Sequence, residues 1–202
     1  MRAPMLLIVL LILGACAVTG ARPAWARQYS PDEKIWAPTP QGLHHVLSGF
    51  TCPASLGDWT FTSVTMSPYP ITGLNSGCLL NGPNRSGISF FMVHNTQTPP
   101  LTEHFEQTLF AMQTIASTGT ERPVPVRSDG QPVAALAAAA RATPYDGKVR
   151  LDKDLQDTAL WMEEVGGWHM YVRATYYRGD EAMAADTAAA LFESARAGYA
   201  TA

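Results

Sequence analysis

The clearest hydrophobic pattern of the chain lies near its C-terminal end. Residues 158–165 and 168–177 are rich in β-branched and aromatic side chains, and only Gly166 and Gly167 separate them. Because glycine adopts positive φ angles without steric cost, two glycines between such segments predict a tight β-hairpin. Side chains alternate along a strand, so one face of the second strand carries His169, Tyr171, Arg173, Thr175 and Tyr177.

Similar patterns predict further strands and a helix. Residues 59–66 and 88–94 combine β-branched and aromatic residues, and a short strand is expected at 78–80. Apolar residues recur at helical spacing after Thr102, which predicts a helix to about residue 117. The apolar stripe of this helix consists of Phe105, Leu109, Met112 and Ala116.

Two other segments complete the pattern. Asp180 is a candidate N-cap for a final helix that runs to about residue 197, with Gly198 as its stop. The alanine-rich segment 133–141 fits a helix by propensity and a strand by its position between strand-like segments. Because helices separate groups of strands instead of alternating with them, we expect an α+β domain. Its sheet is mostly antiparallel, with the helices packed on it in a sandwich-like α/β/α arrangement.

The first residues of the chain have the pattern of an export signal. Arg2 precedes an unbroken apolar run at residues 5–13, which is too short to span a bilayer permanently. Two cleavage sites remain open. Cleavage after Ala26 fits an ordinary signal peptidase, whereas residues 13–16 resemble a bacterial lipobox with lipidation at Cys16. Either route places the protein in the periplasm or cell envelope of a bacterium, and the lipid would anchor it to a membrane.

The rest of the chain is predicted to form a tether and one domain. A signal peptide at 1–26, or 1–15 in a lipoprotein, precedes a proline-containing tether at 27–42 and a single globular domain at 43–202. The formal net charge is −3. Lysines and arginines are scattered singly, whereas a nucleic-acid-binding surface needs a basic stripe, so we expect no nucleic-acid partner.

The cysteines and histidines bear on disulfides and metals. Either cleavage leaves Cys52 and Cys78 as the candidates for an intramolecular bridge, which an oxidising compartment favours. His44 and His45 are adjacent in the sequence, and their side chains should point in different directions, which makes binding of one metal ion by both of them awkward. We therefore interpret both histidines as solvated. No Cys-x-x-Cys, His-x-His or His-x-x-x-His occurs. The sequence therefore predicts a disulfide, and neither a metal nor a cofactor.

Three short motifs carry a resemblance to known proteins. Residues 49–53, residues 77–78, and residues 167–168 leading into 172–176 and a closing helix resemble segments of small exported proteobacterial proteins of unassigned function. Over residues 48–197 the layout is similar to the extrinsic P-subunit fold of photosystem II. The resemblance implies an α/β/α sandwich and an envelope setting. None of the motifs is catalytic, so it implies no site residue.

The best candidate surface is the polar and aromatic face of the hairpin. A cation among aromatic rings can hold an anionic or planar ligand, which singles out His169, Tyr171, Arg173 and Tyr177 as ligand-binding candidates. The competing interpretation is structural, with this face lying under a helix. No Gly-x-Ser-x-Gly elbow, Walker-type loop or Gly-x-Gly-x-x-Gly string marks an enzyme class.

These observations favour an exported envelope module that binds an envelope protein or a small ligand without catalysis. One alternative is a periplasmic enzyme whose active site forms only in three dimensions, around His169, Tyr171 and Arg173. The second alternative is a structural lipoprotein held to the membrane by the lipid at Cys16.

We expect the intact mass of the processed native protein to lack at least residues 1–15. An N-terminus at Arg27 would indicate ordinary cleavage, and an acylated Cys16 would indicate a lipoprotein. In the second case a Cys16→Ser variant should stay unlipidated and leave the membrane fraction. Recovery of a chain that still begins at Met1 would contradict the export signal.

Overall fold

A computed structural model describes residues 34–66, 73–115, 117–142 and 156–200 of the chain. The predicted export segment, Cys16 and the first part of the predicted tether lie outside the described residues. The strands are β1 (Trp36–Pro38), β2 (Gly42–His45), β3 (Thr51–Pro53), β4 (Ser55–Leu56), β5 (Trp59–Met66), β6 (Asn75–Asn81), β7 (Gly87–His94), β8 (Ser117–Glu121), β9 (Leu136–Ala142), β10 (Gln156–Val165) and β11 (Trp168–Tyr177). The helices are α1 (Leu101–Ile115) and α2 (Glu181–Tyr199).

The strands form two sheets. Eight of them make one antiparallel sheet in the order β4-β5-β6-β7-β11-β10-β9-β8, and β1, β2 and β3 make a small separate sheet. The β10–β11 hairpin therefore lies in the interior of the large sheet, paired with β9 on one side and β7 on the other. The predicted α+β class with a mostly antiparallel sheet is confirmed.

The hairpin at the two glycines is confirmed. Gly166 and Gly167 have φ angles of 57° and 82°, so both occupy the left-handed region that a side chain disfavours. The two strands pair without interruption, from Val165 opposite Trp168 to Gln156 opposite Tyr177. This continuous register fixes which side chains of β11 point to each face of the sheet.

The two helices pack on opposite faces of the large sheet. On one face, Phe105 and Met112 of α1 cluster with Leu160 and Met162 of β10. On the other, α2 covers alternate residues of the same hairpin, among them Trp161. This is the expected sandwich. No helix within the described ranges is long and apolar enough to cross a membrane.

The alanine-rich segment is a strand. Residues 136–142 form β9, which pairs with β10 on one side and β8 on the other. Alanine favours helices in isolation, but strand partners on both sides satisfy the backbone of this segment and override that preference. Ala139 and Ala140 are buried in the apolar clusters of opposite faces.

The ends of α2 differ from the prediction. Asp180 precedes the helix, but its side chain makes no capping hydrogen bond. Gly198 does not stop the helix, which continues to Tyr199. A Cβ atom at residue 198 would collide with the backbone carbonyl of Gly49. The glycine therefore permits close approach of α2 to the segment before β3.

The folded body begins earlier than the proline content predicts. Ile35 and Trp36 are buried in the main apolar cluster, and β1 pairs with β2. Residues 34–42 thus belong to the domain and not to a tether. The buried indole of Trp36 explains the difference, because burying so large an apolar surface stabilises an ordered segment.

The predicted disulfide between Cys52 and Cys78 is confirmed. It joins β3 of the small sheet to β6 of the large sheet, with the two Cα atoms 6.4 Å apart. Both cysteines are buried. The rings of Phe50 and Phe90 stack with centroids 4.3 Å apart and belong to the same apolar cluster. The small sheet is therefore held by a covalent bond and by apolar packing.

Replacing both cysteines, Cys52→Ala with Cys78→Ala, should lower the free energy of unfolding by about 3.5 kcal/mol. The sequence separation is 26 residues, and closing a loop of this size restricts the unfolded chain by that amount. Urea denaturation of the oxidised wild type and the double variant at pH 7 measures the difference. Equal midpoints with equal slopes would show that the bridge does not stabilise the fold.

Candidate functional site

Alternation along β11 separates a buried face from a partly exposed one. Trp168, Met170, Val172, Ala174 and Tyr176 are buried on the α2 side. On the α1 side Tyr171, Arg173, Thr175 and Tyr177 are only partly buried, whereas His169 is 3% exposed. The predicted candidate residues therefore share one face, as the pattern indicated.

Helix α1 covers only one end of this face. It packs most extensively against β8, β9 and β10, and it also reaches His169 and Tyr171 of β11. Among the described residues, the apolar cluster under α1 contains no residue of β6 or β7. We call the area that no described helix covers the open face and define it by Gly77, Ser89, Phe91 and Arg173, with Tyr171 at its border with α1. These positions adjoin one another in the strand register. The structural interpretation, a face lying under a helix, therefore applies near His169 and not at Arg173.

Two aromatic rings stack on each other on the open face, and we call this stacked pair the platform. Phe91 and Tyr171 are paired across β7 and β11, and their rings stack with centroids 5.0 Å apart and planes inclined by 21°. A Cβ atom at Gly77 would lie 2.6 Å from Cδ1 of Phe91, so the ring rests on the bare backbone of β6. Burial raises the pKa of Tyr171 to about 12. The platform is therefore neutral at physiological pH.

Arg173 is a cation beside this platform, and no described residue serves as its counterion. It is partly buried, lies opposite Ser89 of β7, and makes no ion pair or side-chain hydrogen bond to any described residue. Burial lowers its pKa, with Tyr171 acting in the opposite direction. A guanidinium nevertheless stays charged at neutral pH. The open face thus combines a pair of stacked aromatic rings with a positive charge that no carboxylate of the described residues pairs with.

A histidine pair lies where α1 meets β11. Nδ1 of His169 is 3.0 Å from Nδ1 of His104 and 3.0 Å from the hydroxyl oxygen of Thr98. The His104 ring meets the Tyr171 ring edge-on, with centroids 5.8 Å apart. Burial lowers the pKa of both histidines. Sequence reasoning missed His104, because it is 65 residues from His169 and no local motif links them.

Tyr177 is not part of the same site. It pairs with Gln156 at the far end of the hairpin. Eight residues separate it from His169, which corresponds to roughly 26 Å along a strand. The candidates therefore divide into three places: the histidine pair, the open face with Tyr171 and Arg173, and the distant Tyr177.

The prediction that His45 is solvated is wrong. Its ring is fully buried, and Nε2 donates to the carbonyl oxygen of Gly73 at 2.9 Å. Nδ1 lies 2.8 Å from the hydroxyl oxygen of Ser48. The rings of Trp36 and Trp168 pack against it. His45 therefore connects the small sheet to the segment before β6 and has a structural role.

Comparison with known proteins identifies no relative of this chain. No protein-family model matches the chain, and no curated protein or solved structure matches it either. A functional proposal therefore rests on the open face and on the pattern of the sequence.

The stability of the fold should fall when the pH drops from 7 to 4. Burial lowers the pKa of His45 to about 4, whereas an unfolded chain takes up this proton near the ordinary value of 6.5. The contribution of neutral His45 is complete above about pH 6.5 and is lost as the pH falls toward 4, by roughly 3 kcal/mol in total. Urea denaturation at several pH values measures this loss.

The matched variant is His45→Gln, which keeps an amide donor for Gly73 but does not titrate. Its stability should depend less steeply on pH between 4 and 6.5 than that of the wild type. Identical pH dependence of the free energy of unfolding in the two proteins would show that protonation of His45 does not cause the loss of stability between pH 4 and 6.5.

Proposed function

We propose that this chain is an exported, non-catalytic module of the bacterial envelope that binds a small anionic ligand on the open face. The observation that carries the ligand class is Arg173, a partly buried guanidinium with no carboxylate partner among the described residues. The apolar run at residues 5–13 supports export. The bridge between Cys52 and Cys78 supports an oxidising compartment.

The charge of Arg173 favours an anion. Two other arginines have an acidic partner: Arg122 and Arg178 both approach the buried carboxylate of Asp157, at 3.4 and 3.5 Å. Arg173 has no such partner among the described residues, and its partial burial weakens competition from water. A carboxylate, sulfate or phosphate oxygen placed there would form a charge-assisted hydrogen bond.

The platform beside Arg173 favours a ligand with a flat apolar part. The rings of Phe91 and Tyr171 already stack on one another, so their orientation is set before a ligand arrives. A planar group lying on this platform would bury apolar surface on both partners. The best fit to both features is a small molecule that joins an anionic group to a planar ring.

The test uses three probes that separate these two features. 2-Naphthoate carries a charge and a ring, acetate only the charge, and 2-naphthylmethanol only the ring. In nuclear magnetic resonance titrations of the mature protein, naphthoate should bind most tightly and shift backbone amide signals of Gly77, Ser89 and Phe91. Arg173→Gln should weaken naphthoate binding roughly tenfold to hundredfold, which is the range for a hydrogen bond to a charged group.

Arg127→Gln is the control, because it removes the same charge from an arginine already paired with Asp129 and Glu193. Its affinity for naphthoate should match the wild type. Equal weakening by both variants, or no saturable shifts with any probe, would overturn the proposal; the second result fits a structural lipoprotein. Turnover of ester, phosphate or glycoside substrates that disappears with Arg173→Gln would instead favour the enzyme.

A further inference from the structure

Three polar atoms from three segments converge near the covered end of the β11 face. The two Nδ1 atoms of His104 and His169 are 3.0 Å apart, and the hydroxyl of Thr98 is 3.0 Å from the second of them. All five histidines of the chain are in the described residues. His44 and His94 each approach a threonine hydroxyl, at 3.2 and 2.9 Å, without a second imidazole.

We propose that His104 and His169 form a two-histidine site for a divalent transition-metal ion, with copper(II) bound most tightly. Solvent molecules complete the coordination sphere on the His104 side, where the ring is partly exposed. The site is smaller than a structural metal centre: no group of three or more histidine, cysteine, aspartate or glutamate side chains occurs in the described part of the chain.

The spacing of the nitrogens fits one ion. Imidazole nitrogens bind such metals at about 2.0–2.1 Å. Two nitrogens 3.0 Å apart then subtend an angle close to a right angle at a shared ion. Tetragonal and square-planar copper(II) or nickel(II) use such angles, whereas tetrahedral zinc needs a wider separation. The geometry therefore favours copper and nickel over zinc.

Both imidazoles can supply a lone pair. Burial lowers the pKa of each histidine, so both are neutral at neutral pH and only one proton occupies the contact between their Nδ1 atoms. When an ion binds both Nδ1 atoms, the ring that held its proton on Nδ1 releases it there and takes one up on Nε2, so that both rings stay neutral with their protons on Nε2. Glu164 lies opposite His169 on β10, and its negative charge favours a cation there.

The two ligands are held by regular secondary structure. His104 lies in the first turn of α1, where its backbone amide donates to the carbonyl oxygen of Pro100 at 2.9 Å. His169 lies in β11, paired on both sides with β7 and β10. A pair positioned in this way loses little conformational freedom when it binds an ion.

Calorimetric titration of the mature protein, purified without a histidine tag, tests the proposal at pH 7.5. One equivalent of copper(II) should bind more tightly than nickel(II) or zinc(II). His104→Ala and His169→Ala should each weaken copper binding at least roughly tenfold. Changing a residue that only hydrogen-bonds to a metal ligand already has an effect of that size, and removing the ligand itself should cost no less. His44→Ala, the control without a second imidazole, should bind copper like the wild type.

Equal copper affinity in all three variants and the wild type would overturn the site. A measurement on the wild type keeps the test decisive if a variant unfolds. Substoichiometric copper(II) should broaden amide signals around residues 98, 104 and 169 before any others, and broadening that starts elsewhere would contradict the proposal. Arg173→Gln should leave copper binding unchanged, so this result stands apart from the anionic-ligand test.

Discussion

The register of the β10–β11 hairpin is the constraint on which the rest of the structure depends. Side chains alternate with a period of two, so a slip by one residue would exchange the faces of β11. Trp168 and Met170 would then leave the core under α2, and Arg173 would enter it. The turn at Gly166 and Gly167 prevents this slip, because two consecutive positive φ angles define a two-residue connection.

Given that register, the unequal cover of the two faces creates a surface for binding. The helix α2 has 19 residues, and the alanines along its buried side allow close contact with the sheet. The helix α1 has 15 residues and packs mainly on the β8, β9 and β10 end of the opposite face, where its His104 also reaches His169 and Tyr171 of β11. Among the described residues, α2 therefore covers one face of the hairpin, and α1 covers only part of the other. The histidine pair lies at the edge of the part that α1 covers.

Patterns that operate within a few residues were predictable from the sequence. The hairpin, the strands β5 and β7, the two helices and the shared face of β11 all follow from local periodicity. The disulfide followed from counting cysteines. The strand β9 was not decided by its alanines, because its partners β8 and β10 determine its conformation. Contacts distant in sequence, such as the burial of His45 and the meeting of His104 with His169, leave no local pattern.

The histidine pair and Arg173 lie on the same face of the sheet but differ in whether the fold supplies them with polar partners. The histidines satisfy each other and Thr98 at close range, so the fold is complete without a ligand there. Arg173 has no such partner in the part of the chain that the structure describes, and partial burial removes some of the water that would otherwise solvate it. The free-energy cost of removing water from the Arg173 guanidinium is therefore not offset by a carboxylate of the described residues. A partly buried charge without a partner is less stable than one with a partner. An anion relieves that cost directly, whereas a metal ion at the histidines requires one ring to shift its proton from Nδ1 to Nε2.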